Sequence, residues 1–509
     1  MSLQITHSFD PMLTFSLFLA FILWAIIWKI FRLYSSKPLN LPPGPRQLPV
    51  IGNLHQFMIN GALPYRRLAG WAKKYGAIMQ IQLGQVPVVI ISTPETAKQV
   101  LTTHDLVFAI RPPLIVSDII FYKGADIAFT PYGDLWKQLR RICMTELLSP
   151  SRVKSLRSVR EEAVTKLVSS ISSREGSPVN LSKMLHSLAC TVISRATFGD
   201  ECEDQEEIIP IAEEVLKMAT GICISDLFPS SKILHFFTGI RYRLMKLHKK
   251  IDSVLQNIVN KHKVSRAASG INMEGKDIVH VLLNLQEQGN LELPLTTDNI
   301  KGVILDMLFG GIDTTAALIE WVMSEMIKNP KWMQKVQEEV RQVFSAKVDE
   351  ADFDKLKYMK LIIKETLRLH PPVPLQPARQ AAHHCQINGY DIPAETRILI
   401  NFWALGRDPN YWSEPEKFIP ERFIDNQIDY KGVSFEYLPF GSGRRICPGM
   451  VFGMATVEHT VARLLYQFDW KLSDDNKKKK ELDMMEKFGI IGKRKNDLYL
   501  VPISYHNSM

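Results

Sequence analysis

The sequence predicts a mostly helical body with a minor β portion, set behind one transmembrane helix. Three observations carry the prediction. Helical periodicity dominates from Glu95 to about Leu369. Short β-branched runs lie on both sides of that span. An uncharged apolar segment runs from Pro11 to Trp28.

The apolar segment comes first. Its 18 residues, at ~1.5 Å each, reach about 27 Å, enough for a thin bilayer. No Lys or Arg precedes it, and Lys29, Arg32, Lys37 and Arg46 follow. This bias predicts a luminal N-terminus and a cytosolic body. A cleaved signal peptide would show a basic start and a small-residue cleavage site, which are missing. Residues 11–34 are therefore expected to be a retained anchor in the endoplasmic reticulum. Residues 35–50 hold five prolines between Pro38 and Pro49, which bar helix and central strand and predict a stiff hinge. Residues 51–509 are then one catalytic unit.

Residues 76–92 alternate as a β-hairpin. The helical span breaks at polar stretches near Ser172–Pro178 and Ala267–Gly275. Strand patterns return at 383–402, with a turn at Asn388-Gly389, and from Asp497 onward. The chain is 46% hydrophobic and 23% charged, which excludes wholesale disorder and collagen-like repeats. Six cysteines without a C-x-x-C pair argue against a disulfide framework or zinc ribbon. The net charge of +9 is mild and favours a membrane surface or acidic partner over nucleic acid. The run Lys477–Lys480 has no interleaved aromatics and reads as a solvated loop.

Residues 440–449 read F-G-S-G-R-R-I-C-P-G. A lone buried cysteine is usually a small hydrophobe. Cys447 differs because Phe440, Gly443, Arg445 and Gly449 surround it in the pattern F-x-x-G-x-R-x-C-x-G. With this signature the chain resembles a haem-thiolate monooxygenase, a cytochrome P-450, over almost its whole length. The resemblance implies that haem b lies between a long central helix and the cysteine loop. It makes Cys447 the axial ligand of the iron, where a thiolate favours O–O cleavage. Arg445 offers a fork suited to a haem propionate. Residues 441–446 lack the third glycine of a dinucleotide loop, so NADPH electrons are expected through a reductase.

Residues 300–328 form a long, nearly apolar stretch containing G-G-I-D-T-T, which predicts a buried central helix. Gly310-Gly311 reads either as close helix packing or as backbone exposed to the haem face. Thr314 is expected to hydrogen-bond the Gly310 carbonyl. The resemblance implies that Thr314, with Asp313 and water, delivers protons. Glu365 and Arg368 share one helix face, and Arg422 in F-I-P-E-R-F completes the family's core network. Glu338 and Arg341 have the same spacing and read as a surface pair. Trp136 and Arg140 match the family's W-x-x-x-R helix, and Arg379 lies near its Pro-Arg strand position, so all three are expected at haem propionates. Lys137, Arg140, Arg141 and Arg444 are expected on a basic face toward the reductase.

By the same resemblance the substrate pocket draws on residues 112–127, the helix around Leu305–Thr315, Val373–Gln376 and Phe488–Ile491. Ile115, Ile119, Phe121, Leu308, Phe309, Val373, Leu375 and Ile490 are its named contributors. Nearly all are apolar, which predicts a lipophilic substrate. The segments L-P-P-G-P, A-F-x-P-Y-G-D and L-D-M resemble the plant A-type clade and its terpenoid oxidases. A sesquiterpene or diterpene is the expected substrate; an alkaloid or phenylpropanoid is the alternative. A haem-thiolate isomerase or dehydratase that needs no oxygen, and a non-catalytic haem or lipid binder, are the rival classes.

Overall fold

The computed structural model describes residues 39–58, 63–199, 223–231, 238–269, 277–344, 348–473 and 482–505, with part of 210–218. The expected anchor at 11–34 and the run Lys477–Lys480 lie outside the described residues.

The long helix α7 (Thr297–Lys328) runs through the middle of the body. Thr296 caps it: its hydroxyl accepts the Asn299 N–H at 3.1 Å, and the Asn299 side chain accepts the Thr296 N–H at 3.0 Å. Asn329 and Pro330 end it. By length and composition alone this helix could cross a membrane, but 72% of its most apolar window is buried inside the protein. It is the core helix. Around it pack α4 (Leu181–Phe198), α6 (Ile278–Gln288), α9 (Lys357–Leu369) and α10 (Met450–Gln467). Other helices that matter below are α1 (Pro64–Tyr75), α2 (Asp134–Ile142), α3 (Arg157–Ser172), α5 (Ile240–Ser269) and α8 (Pro330–Val343).

The main sheet has the order β1 (Ile78–Leu83), β2 (Val86–Ile91), β7 (Arg397–Ile400), β4 (Arg379–Gln380). The β1–β2 hairpin is antiparallel, and β2 pairs with β7 in parallel. The expected turn at Asn388-Gly389 joins β5 (Cys385–Ile387) to β6 (Tyr390–Ile392), with positive φ at both residues. A second sheet sets β9 (Tyr499–Ser504) between β3 (Val179–Asn180) and β8 (Phe468–Leu472). β3 and β4 are two residues long and carry no periodicity of their own.

The proline-rich strap is docked along its described part. Gln80 N–H bonds Pro43 C=O at 2.9 Å, and Asp391 N–H bonds Asn40 C=O at 2.8 Å, fixing the strap to two sheet elements. Arg341 does not pair with Glu338. It reaches Asp469 at 2.8 Å and stacks on Tyr505, because β8 brings a carboxylate within range.

Candidate active site

Cys447 lies on a loop tied to itself. Its N–H bonds Phe440 C=O at 3.0 Å, and Gly441 N–H bonds Leu438 C=O at 3.0 Å. Gly443 has φ +69°, and a Cβ there would stand 2.6 Å from the Leu101 carbonyl oxygen, so only glycine fits. Helix α10 starts directly after the loop. Burial pushes the Cys447 thiol up, while the N–H groups of Gly449 and Met450 and the Arg140 charge favour the thiolate.

Cys447 opens onto a cavity of about 350 Å³, lined also by Trp136, Arg140, Phe440, Arg445, Gly310 and Thr314. The opposite wall is α7. Thr314 Oγ1 donates to Gly310 C=O at 2.6 Å. The two glycines divide the two readings between them. A Cβ on Gly311 would meet Ile193 of α4 at 2.4 Å, so Gly311 permits helix packing. A Cβ on Gly310 would meet nothing within 4 Å, so Gly310 leaves the backbone bare to the cavity.

Beyond Thr314 a second cavity of about 330 Å³ shares Arg111, Ala128, Asp306, Gly310, Thr314, Val373, Gln376 and Pro377 with the first. The two spaces meet at the middle of α7. A cysteine facing a helix that carries G-G-x-D-T decides the family together with one finding: residues 42–500 match the family model for cytochrome P-450.

The chain belongs to the cytochrome P-450 family. It is 47% identical to desmethyl-deoxy-podophyllotoxin synthase of Sinopodophyllum hexandrum, over 97% of this chain and 98% of that one. It is 44% identical to premnaspirodiene oxygenase of Hyoscyamus muticus over 98% and 99%, and 46% identical to salviol synthase of Salvia pomifera over 95% of each. A zebra fish cytochrome P-450 solved with abiraterone shares the fold, with a TM-score of 0.75 and 22% identity, over 88% of this chain and 100% of that one. The chain is a plant A-type cytochrome P-450 and a monooxygenase. The family implies a haem cofactor, NADPH-derived electrons, a redox partner and a small-molecule substrate.

The residues fit a haem. Burial first, then the guanidiniums of Arg445 and Arg379, lower Arg111 strongly; burial first, then Arg379, lowers Arg445 to about 10. Arg140 lines the cavity with no hydrogen-bond or ion-pair partner among the described residues, and Arg379 Nε is buried without one. Among the described residues, the carboxylates facing Arg111, Arg379 and Arg445 are Asp105 and Asp126. Such a surplus of buried positive charge suits a cofactor with two carboxylates.

The individual donors differ from expectation. The Trp136 indole N–H goes to Ile127 C=O at 3.1 Å, and the Arg445 guanidinium stacks over its ring at 4.4 Å. Arg445 donates to the carbonyls of Ala109 (2.9 Å), Ile127 (3.1 Å) and Thr130 (2.6 Å). Arg379 does not line the cavity: it pairs with Asp105 at 3.0 Å and bonds Ser442 C=O. Arg111, missed in the sequence, lines both cavities and bonds Ala128 C=O at 3.1 Å. Its signal was a lone charge in the run F-A-I-R-P-P.

Asp313 also differs. It lines neither cavity, because Lys493 Nζ at 2.5 Å and His186 Nε2 at 3.2 Å hold its carboxylate on the other side of α7. Burial opposes its charge, yet these two partners keep its carboxyl below the ordinary range, and His186 is raised to about 10 by the hydrogen bond. The basic face is smaller than expected. Lys137 pairs with Asp134, Arg141 with Glu292 and Arg444 with Asp105, while Arg140 turns inward.

Glu365, Arg368 and Arg422 are brought together. Arg368 makes a two-pronged pair with Glu365 at 2.7 and 2.8 Å, both fully buried. Arg422 Nε reaches Glu365 at 3.1 Å. Arg368 also donates to the carbonyls of Gly406, Pro415 and Lys417, which orders the chain leading to the cysteine loop.

In the second cavity stand Phe121, Phe309, Val373, Leu375 and Ile490. Ile115, Ile119 and Leu308 line neither cavity. Leu308 is two residues from both Asp306 and Gly310, about 200° round the helix from each, and packs in the main core. Ile115 and Ile119 sit on a short helix that packs against α5 and join the same core. The segment carrying Ile490 is fixed at both ends. Glu486 takes hydrogen bonds from Tyr65 (2.8 Å) and Arg66 (2.7 Å), and Trp321 Nε1 bonds Gly492 C=O at 2.7 Å.

Proposed function

We propose that this protein is anchored in the endoplasmic reticulum membrane through residues 11–34, with residues 35–50 as the hinge and 51–509 as the cytosolic catalytic body. There it takes electrons from an NADPH-dependent reductase and hydroxylates or further oxidises a sesquiterpene or diterpene. The observation that carries this reading is the apolar second cavity meeting the cysteine cavity at Gly310 and Thr314.

Haem b, held by Cys447, supplies the oxygen-activating chemistry when bound. Cys447 would hold the metal, and Arg140, Arg445 and Arg111 would offer positive charge to the propionates, while Trp136 and Phe440 line the same cavity and Arg379 holds the loop from behind. Thr314 keeps a hydroxyl proton at the wall where the two cavities join. Asp313, paired with Lys493 and His186, is the charge reservoir behind that wall. Glu365, Arg368 and Arg422 support the fold.

The second cavity supports a lipophilic substrate. Its aromatic and aliphatic wall is broken by the charged Arg111, Asp306 and Arg397, each occupied by backbone groups, and by the uncharged polar Tyr65, Thr314 and Gln376. No free cation waits for a carboxylate among the described wall residues. The names premnaspirodiene oxygenase and salviol synthase favour a terpenoid; desmethyl-deoxy-podophyllotoxin synthase keeps the phenylpropanoid alternative in the test. Membranes holding the full chain and a plant reductase should convert a sesquiterpene or diterpene to a product one oxygen atom heavier, with NADPH consumed. Conversion of cationic amines alone would overturn the substrate class.

A further inference from the structure

The loop 124–131 crosses between α7 and the cysteine loop, and its backbone is used on both edges. On one edge its N–H groups converge on two carboxyls. Asp306 of α7 accepts the Ile127 N–H at 2.6 Å and hydrogen-bonds the Ala128 backbone. Asp126 accepts the N–H groups of Phe129 and Thr130, each at 3.1 Å. The two carboxyls stand against the same short backbone stretch, close enough to act directly on each other. On the other edge the carbonyls face the cavity. Ile127 C=O holds Trp136 and Arg445, Thr130 C=O holds Arg445, and Ala128 C=O holds Arg111.

We propose that Asp126 and Asp306 share one proton and act together as positioning residues that set loop 124–131, and through it Arg445, Trp136 and Arg111, around the cofactor cavity. Two ionised carboxylates cannot lie side by side in a buried place, and a bound proton turns their repulsion into a hydrogen bond. Neither residue touches the reacting atoms through this role. The inference rests on the haem reading only for what the cradle holds.

The electrostatics agree. Burial raises Asp126 to about 6 and Asp306 well above the ordinary carboxyl range, the latter also by the neighbouring carboxyl. The charged or titratable groups facing the pair are Arg111 and Arg445 on Asp126, and Cys143 from the segment after α2 on Asp306. A raised folded pKa means that this contribution to stability is complete below the ordinary carboxyl range. It declines as pH rises toward the pKa of the held proton. The loop should therefore loosen on the alkaline side.

The test is hydrogen exchange of the peptide spanning residues 122–133 in the haem-loaded full chain, followed from pH 6 to about 9, beside the reduced CO spectrum. Asp306→Ala leaves the Ile127 N–H without its acceptor, so exchange there should rise roughly tenfold and the thiolate-type band should weaken. Asp306→Asn can accept the Ile127 N–H and donate to Asp126 without titrating. It should keep wild-type protection at neutral pH and lose the extra alkaline acceleration of the wild type. Three results would each overturn the proposal: unchanged protection in Asp306→Ala, Asn exchanging like Ala at neutral pH, or Asn and wild type showing one pH dependence. Because exchange reads the loop itself, these results stand whatever ligand binds the iron.

Discussion

The two cavities that meet at Thr314 are both mostly apolar, but they differ in how their characteristic residues are held. On the cysteine side these residues are fixed by hydrogen bonds: Arg445 by three carbonyls, Trp136 by one, Cys447 by its loop. On the substrate side the wall is packing: Phe121 meets Phe129 and Phe309 with ring centroids 4.8 and 5.3 Å apart, and Leu375 and Ile490 face them across the space. Directional contacts fix residue identity, whereas packing fixes volume. The first cavity should fail sharply under substitution and the second should change its product.

The largest effect that would break this contrast is at the metal. Cys447→Ala should abolish turnover and the red-shifted Soret band of the reduced CO complex; a retained band would remove Cys447 as the ligand. Next is the buried network. Glu365→Ala leaves the buried Arg368 charge without its carboxylate, which costs about 3–5 kcal/mol, so little haem-loaded protein should accumulate; a wild-type thermal midpoint would show that the network is dispensable. Thr314→Ala should leave the CO band in place but divert NADPH from product; fully coupled turnover would take away its proton role.

A paired substitution sharpens the comparison. Ile490→Phe should shift the product distribution at little cost in stability, since Ile490 faces the second cavity. Leu308→Val should do the reverse: unchanged products and a loss of about 1 kcal/mol read by thermal unfolding. A further effect is read in acid. Glu486, Asp277 and Glu350 are each lowered to about 2: burial opposes their charge, but His370 and Arg66, His262 and His280, and His459 and Arg160 outweigh it. Depressed carboxyls stabilise fully above the ordinary range and lose this as pH falls. The thermal midpoint should therefore be flat near neutrality with respect to these groups and drop between pH ~4.5 and ~2.

The same contrast explains what could be read in advance. Cys447, Glu365, Arg368 and Arg422 were legible because charge and sulfur chemistry admit few substitutes, so they form spaced motifs. Helix α7 was legible from its length and apolar run. The pocket was legible only by segment: Val373 and Leu375 face the cavity, but Leu308 and Phe309 are neighbours on one helix and only the second does. A shift of one residue rotates a side chain by about 100°, and apolar composition does not reveal which neighbour turns inward. Asp313 and Arg379 were placed in the right elements, but their partners, Lys493 with His186 and Asp105, come from distant parts of the chain. Asp306 is one of several acids in an otherwise apolar helix, with no motif to mark it, and its partner Asp126 lies in a loop without periodicity.

The short stretch Phe488–Ile491 hangs between two posts, Glu486 with Tyr65 and Arg66 on one side and Gly492 with Trp321 on the other. A panel fixed only at its ends can be exchanged without touching the frame. Grafting other four-residue sequences between the posts offers a route to new guests for this oxidase while its electron and oxygen handling stays intact.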